Sequence, residues 1–348
     1  MKALEMAQEL KVLKFGQITT SVDGTKVLAN ASKHAAVSYE RAGKTMEQLE
    51  LEVRQLVEKA EQADATPLQD GLRIPEEIMR RQERKAALAK ARAEIEARAQ
   101  ARYAAELAEH QKKMAERQAR QESGEKVRGK PPTPPSPEPA PKEQYHFTDP
   151  ESRIMKAGSG QHFEQSFNAQ AVVEVESRLI VGQRVSQAPN DKQELVPTVA
   201  AIPPEAGPVA RVLADNGFYS EKAVKQIEQK APGEATGTVV YSPLDKTSHH
   251  RTVADLEKKT EPEAPPAGAS VSEVMRHRLK TGSGKALYKL RQQTVEPVFG
   301  IIKSALGFRQ FLLRGLNKVS LEWELVCLAY NFRRLHTLAA GMNPAKMS

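Results

Sequence analysis

The sequence predicts an α/β fold in which helices flank a mixed sheet. Three observations lead to this class: short runs rich in β-branched residues, helical patterns between and after those runs, and turn residues at the junctions. Strands and helices that follow one another in this way usually bury a sheet between helices. The chain has 348 residues, which is enough for two domains of ordinary size.

Four stretches are predicted to supply strands. Residues 16–31 are rich in β-forming side chains, and Asp23 stands among them. Residues 167–186 contain two apolar runs around a short polar turn, which is the pattern of a hairpin. Residues 210–214 form a short apolar run that ends at Asp215, and residues 238–242 form another. The Asn216-Gly217 pair after Asp215 is a strong turn signal.

Helices are predicted between and after these strands. Residues 193–202 and 220–230 are expected to form two of them, and the chain from Tyr288 onward is expected to be mostly helical. Residues 243–286 contain several Pro and Gly residues and are predicted to be a loop. Pro297 lies inside the last helical region, where it predicts a kink or a new helix start.

A helical insertion is predicted between the first strand and the rest of the sheet. Residues 44–63 have a helical pattern, and Glu76–Glu122 contains no Gly or Pro, so the two are expected to pair as a long hairpin. Residues 131–141 contain seven prolines in eleven positions, which indicates a polyproline-II spacer or disorder. The predicted segments are therefore 1–39 for the first strand region, 40–130 for the insertion, 131–146 for the linker and 147–345 for the remainder.

Composition excludes some classes and favours others. A single cysteine, Cys327, excludes a disulfide framework and a multi-cysteine zinc site. No apolar run is long enough for a membrane span, so we expect a cytoplasmic protein with no membrane partner. Residues 276–348 hold thirteen Lys or Arg against three acids. That excess favours a polyanion such as nucleic acid, with a merely solvated basic surface as the alternative.

Three carboxylates stand where a charged group is costly or functional. Asp23 is in the middle of a predicted strand, Asp215 is at the carboxyl end of another, and Glu296 lies between Val295 and Val298. Carboxylate oxygens suit Mg²⁺ or Mn²⁺, and two such ions can activate water or a 3′-hydroxyl for phosphodiester transfer. The spacing by itself also fits a chance set of three acids.

Five stretches of the sequence, in this order along the chain, carry a resemblance to a protein family: VDGTKVLANASKHAAVSYERAGK, TDPESRIMK, FNAQAVVEV, VLADNGFYS and the long segment that begins YKLRQQTVEPVFG. In these stretches the chain resembles bacterial insertion-sequence transposases of the DDE class, which have an RNase H-like catalytic domain. The last stretch is the most specific, because Tyr288, Arg291, Glu296 and Lys303 resemble the Tyr-Arg-Glu-Lys signature of these enzymes. The gap between Arg291 and Glu296 is longer than in the commonest form of that signature.

The resemblance implies metal-dependent DNA strand cleavage and strand transfer during transposition. It implies that Asp23, Asp215 and Glu296 hold two Mg²⁺ or Mn²⁺ ions, and that Lys303 contacts DNA near the cleaved end. The DNA partners implied by the resemblance are the transposon ends and the target DNA. Whether the protein forms a homodimer stays an open question. The expected location is the nucleoid in the cytoplasm. The further residues expected to contact DNA are Tyr288, Arg291, Lys26, Asn30, Arg309 and Arg314.

Two alternatives to an active transposase remain from the sequence. Only 22 residues precede Asp23, whereas proteins of this kind usually have an N-terminal helical region there. We therefore expect a truncated chain, and a remnant that binds DNA without cleaving it is the first alternative. The second is a structural coiled-coil protein built on residues 76–122. Ordinary strand-edge roles for Lys26 and Asn30, and a solvated face for Arg309 and Arg314, also stay open.

Overall fold

The computed structural model describes residues 2–9, 17–63, 74–124, 129–156, 162–231, 234–245 and 261–340. The chain forms two compact units. Met1–Asn30 together with Glu151–Ser348 forms the sheet unit, and Ala31–Pro150 forms the helical unit. Among the described helices, none combines the length and the apolar character that crossing a membrane requires.

The described elements are numbered in chain order. The strands are β1 (Ile18–Leu28), β2 (Ala36–Ser38), β3 (Gln144–His146), β4 (Arg153–Lys156), β5 (Phe163–Glu174), β6 (Ile180–Ser186), β7 (Val209–Ala214), β8 (Gln229–Ala231), β9 (Glu234–Ala235) and β10 (Val239–Tyr241). The helices are α1 (Lys2–Glu9), α2 (Tyr39–Ala63), α3 (Ile74–Glu122), α4 (Leu195–Val199), α5 (Glu221–Glu228), α6 (Val271–Lys280), α7 (Gly282–Gly300) and α8 (Leu316–Ala340).

A mixed sheet lies at the centre of the sheet unit. Its strand order is β10-β7-β1-β5-β4, and β6 also pairs with β5. Strand β1 runs antiparallel to β5 and parallel to β7, and β10 runs parallel to β7. Strands β4 and β6 are both antiparallel to β5. The predicted α/β class with a mixed sheet and helices is therefore confirmed.

Aromatic packing holds helices α7 and α8 against the sheet. Trp323 of α8 is fully buried and stacks on Phe299 of α7, with ring centroids 6.5 Å apart. The Trp323 indole also donates a hydrogen bond of 3.0 Å to the Gln170 carbonyl of β5. Phe311 packs edge to face on Phe167, at 5.8 Å. Because each aromatic ring removes a large apolar area from water, this cluster fixes α7 relative to β5 and β1.

Helix α6 lies inside the stretch that the sequence predicted to be a loop. Its first turn has a capping box, in which Ser270 accepts from the Glu273 amide and the Glu273 side chain accepts from the Ser270 amide. The loop prediction for 243–286 is therefore wrong over Val271–Lys280, and residues 246–260 lie outside the described residues. Helix α7 begins at Gly282, earlier than predicted, because Thr281 caps it by accepting from the Gly284 amide at 3.0 Å.

Helix α7 continues through Pro297, so no new helix begins there. The irregularity follows a few residues later, where Ile301–Ala305 form a π-helical turn. The Leu306 amide donates to the Ile301 carbonyl at 3.0 Å, which closes this wider turn. Single π-helical turns are frequent at functional sites, and this one carries Lys303.

The helical unit is built on the pairing of α2 with α3. Leu49, Leu88 and Ile95 are buried together, and Arg81 pairs with Glu52 at 2.9 Å on the flank. Helix α3 has 49 residues, about 74 Å at the usual rise, whereas α2 has 25. Residues 131–141 form neither helix nor strand. The four predicted segments, with their boundaries near 39, 130 and 146, stay a prediction.

Candidate active site

Asp23 is held in the middle of the central strand. It lies opposite Ala171 of β5, and its Oδ1 accepts from the Gly24 amide at 2.8 Å. Its Oδ2 lies 3.2 Å from Nη1 of Arg291 in α7. Burial raises the pKa of Asp23 to about 6, although the Arg291 guanidinium and the Gly24 amide oppose this rise.

Asp215 comes to the same place through the parallel pairing of β7 with β1. Val22 is paired with Ala214, so the residues that follow them, Asp23 and Asp215, are also neighbours. Asp215 caps the short helical turn Asn216–Phe218, because its Oδ1 accepts from the Asn216 amide at 2.7 Å. Its Oδ1 is also 3.9 Å from Nη2 of Arg291.

Glu296 joins the two aspartates from helix α7. Its Oε1 is 3.3 Å from Nη2 of Arg291, which lies on the same helix. Each of the three carboxylates predicted from the sequence thus has an oxygen within 3.9 Å of one guanidinium group. The Arg291 side chain is only 8% exposed, whereas Asp215 and Glu296 are 44% and 50% exposed. The site is therefore open to solvent on the carboxylate side.

These carboxylates converge on a cation that belongs to the protein. In the part of the chain that the structure describes, no group of three or more His, Cys, Asp or Glu side chains is arranged to hold a metal ion. The donor chemistry does fit Mg²⁺ or Mn²⁺, since three carboxylates from β1, β7 and α7 already face one shared positive charge. Their role as metal ligands stays a prediction.

The side chain of Lys303, from the turn Ile301–Ala305, contacts β1 at Thr25, two residues after Asp23. Its ammonium donates to Thr25 Oγ1 and to the Lys26 carbonyl, the latter at 3.3 Å. Burial lowers the pKa of Lys303, and the nearby Arg309 acts in the same direction. Side chains alternate along a strand, so Thr25 and Asp23 share a face of the sheet. Lys303 and the carboxylates therefore lie on the α7 side of β1.

The other residues predicted to contact DNA fall in three places. Tyr288 lies beside Arg291, and burial raises the pKa of the Tyr288 hydroxyl. Asn30 donates to the Leu312 carbonyl at 2.7 Å, and Arg314 donates to the Asn30 carbonyl at 3.0 Å, so these two brace the end of β1. Arg309 donates to the Lys303 carbonyl at 3.1 Å. The DNA contacts of these residues stay predictions.

Lys26 belongs to the opposite face of the sheet, in a polar network that the sequence analysis missed. Asn168 and Gln170 each donate to Asp191 Oδ1 at 2.7 Å, and the Lys26 ammonium is 3.8 Å from the same oxygen. Burial lowers the pKa of Lys26, while Asp191 raises it. The signal in the sequence was the Asn-Ala-Gln alternation inside an apolar strand, because buried amides need partners.

Gly24 lies on the same face of β1 as Lys26 and leaves no room for a side chain. A Cβ atom there would lie 2.4 Å from Gln170 Nε2 and 2.8 Å from Asp191 Oδ1. We expect Gly24→Ala to destabilise the protein by about 1–3 kcal/mol, because it overpacks this network. Gly217→Ala is the matched control, since its Cβ would meet nothing within 4 Å. Urea denaturation should show a loss for the first variant only, and equal losses would contradict the argument.

A comparison with known protein families matches the C-terminal part of the chain. Residues 254–336 match the family model described as Transposase DDE domain. The matched range contains Tyr288, Arg291, Glu296 and Lys303, while Asp23 and Asp215 lie outside it. No curated protein and no solved structure matches the chain. The chain therefore carries a match to a transposase DDE domain at residues 254–336, and its predicted resemblance to DDE-class transposases is confirmed.

Proposed function

We propose that this chain is the catalytic region of a DDE transposase, which cleaves DNA strands with divalent metal ions and transfers the freed 3′ end to target DNA. The observation that carries the proposal is the convergence of Asp23, Asp215 and Glu296 on one guanidinium group. These three residues are separated widely in the sequence. They come together only through the pairing of β1 with β7 and the packing of α7.

The topology supports an RNase H-like arrangement for the sheet unit. Strands β6, β5 and β1 form an antiparallel set, and β7 and β10 extend the sheet in parallel on the other side of β1. In this arrangement Asp23 is on the central strand and Asp215 follows its parallel neighbour. Sites in open α/β sheets gather at the carboxyl ends of such strands, which agrees with the position of Asp215.

In the proposed reaction, the carboxylates would bind metal ions and the basic side chains would bind DNA phosphates. Asp23, Asp215 and Glu296 would hold two Mg²⁺ or Mn²⁺ ions, which supply activation of a water or a 3′-hydroxyl and stabilise the leaving oxygen. Lys303 lies on the same face as Asp23 and is already partly desolvated, so its ammonium suits a phosphate beside the cleaved bond. Arg309 and Arg314 belong to the basic C-terminal region, where they would neutralise phosphates farther along the duplex.

Nicking of supercoiled plasmid DNA by the purified full chain tests this function. We expect nicked circles with Mn²⁺ or Mg²⁺ and none with EDTA, because the carboxylates need a divalent ion to act on the phosphodiester. A labelled duplex with a free 3′-hydroxyl should also become joined to the plasmid. DNA binding without nicking in either metal would contradict the proposal and favour the remnant that only binds DNA.

A further inference from the structure

We propose that Arg291 is a tethered cation that occupies the carboxylate cluster when no metal is bound, and that its guanidinium must leave the cluster before divalent ions bind there. This inference rests on the proposed function, because it concerns the same metal site. It adds a positioning role for Arg291 that opposes metal binding, beside the DNA contact that the sequence predicted.

The geometry shows how closely the guanidinium fills the cluster. Nη1 faces Asp23 at 3.2 Å, and Nη2 faces both Glu296 at 3.3 Å and Asp215 at 3.9 Å. An arginine fork presents its donors in a fixed plane, so one side chain can serve carboxylates from several elements. The guanidinium therefore stands between the oxygens that a metal ion would need to draw together.

Electrostatics explains why a cation is needed in this place. Asp23 is mostly buried, and the negative charge of Asp215 repels its own. The Asp23 and Asp215 charges also raise the pKa of Arg291, against the effect of its burial. An arginine cannot lose its proton in a protein, so it cannot give up its charge inside the cluster. Metal ions and the guanidinium would repel each other there, and movement of the side chain is the remaining way to make room.

One donor group of Arg291, the Nε–H, is not hydrogen-bonded inside the cluster. Its side chain is 8% exposed, yet Nε is buried without a hydrogen-bond partner. A buried donor without a partner costs free energy, so the unpaired Nε weakens the hold of the cluster on Arg291, although the side chain also hydrogen-bonds Tyr288. This makes displacement by divalent ions feasible. The apparent affinity for metal is then the intrinsic affinity multiplied by the fraction of molecules in which the guanidinium has left the cluster.

Mn²⁺ binding to the DNA-free full chain, measured by calorimetry, tests the inference without relying on activity. If Arg291 occupies the cluster in about nine molecules in ten, Arg291→Gln should bind Mn²⁺ about tenfold more tightly than the unaltered protein. Arg291→Lys keeps a charge but cannot span the carboxylates, so its affinity should lie between the two. Arg278→Gln is the matched control, because Arg278 pairs with Glu228 at 2.6 Å away from the cluster. Its Mn²⁺ affinity should not change.

Thermal unfolding gives a second measurement on the same proteins. In EDTA, Arg291→Gln should melt at a lower temperature than the unaltered protein, and Mn²⁺ should raise its melting temperature by the larger amount. Arg278→Gln should also melt at a lower temperature in EDTA. Mn²⁺ should raise its melting temperature by the same amount as it raises that of the unaltered protein. If Arg291→Gln does not fold, Arg291→Lys decides the question by the same comparison.

The outcomes separate the inference from the function on which it rests. Equal Mn²⁺ affinity in the unaltered protein and the Arg291 variants would overturn the inference and leave the metal site in place. Absence of Mn²⁺ binding in all of them would overturn both. Tighter binding in Arg291→Gln that is lost again in the double variant Asp23→Asn with Arg291→Gln would support both.

Discussion

Asp215→Asn is expected to reduce metal-dependent strand cleavage by about a thousandfold or more, which corresponds to roughly 4 kcal/mol of transition-state stabilisation. The amide keeps the shape of the side chain and can still accept from the Asn216 amide, which Asp215 does at 2.7 Å. It cannot supply the negative charge that a divalent ion requires. Plasmid nicking with Mn²⁺ measures the loss.

DNA binding by Asp215→Asn should stay the same or become tighter, because a negative charge near the phosphates is removed. Anisotropy with a labelled duplex, on the same preparation, measures this. Glu221→Gln is the matched control, since Glu221 is an exposed acid in the first turn of α5 and should affect neither property. Nicking by Asp215→Asn within tenfold of the unaltered protein would contradict the assigned role, whereas loss of both nicking and binding would indicate misfolding.

Trp323→Ala is expected to destabilise the sheet unit by about 3–5 kcal/mol, the usual cost of removing a large buried aromatic side chain. Trp323 is fully buried, stacks on Phe299 and donates to the Gln170 carbonyl. Its loss leaves a cavity between α7, α8 and β5, and it leaves that carbonyl without this donor. Because α7 carries Arg291 and Glu296, the geometry of the site should loosen as well.

Chemical denaturation followed by far-UV circular dichroism measures this effect, since Trp323 is the only tryptophan and cannot serve as the reporter after its removal. Leu325→Ala is the matched control on the same helix, because Leu325 is 65% exposed. That substitution should change the free energy of unfolding by no more than about 0.5 kcal/mol. A similar loss in both variants would show that helix propensity, and not core packing, accounts for the effect.

Much of the sheet could be predicted because its signals are local. The apolar runs at 167–186 and 210–214 correspond to β5, β6 and β7, and the polar turn between the first two is where the hairpin bends. Helix α6 could not be predicted in the same way. Its capping box is a signal of only a few residues. The Pro and Gly residues around it indicate a loop, and over the whole stretch they outweigh that signal.

The candidate site was predictable as residue types but not as contacts. Asp23, Asp215 and Glu296 stood out because an acid beside apolar strand or helix positions needs a partner. Their partner is Arg291 because of the orientation of helix α7 about its own axis, which determines the side chains that face the sheet. The aromatic cluster around Trp323 fixes that orientation. The network of Asn168, Gln170 and Asp191 beneath Gly24 likewise depends on the register of β5 against β1.

The sequence by itself therefore determined the α/β class, the three carboxylates and the resemblance to DDE-class transposases, because each depends on residue type and on short-range pattern. Only the tertiary structure decided that Lys26 pairs with Asp191, that the Lys303 side chain reaches Thr25 of β1, and that Arg291 stands among the carboxylates. These facts depend on strand register and on helix packing. Both are set by contacts between residues that are far apart in the chain, so no local pattern contains them.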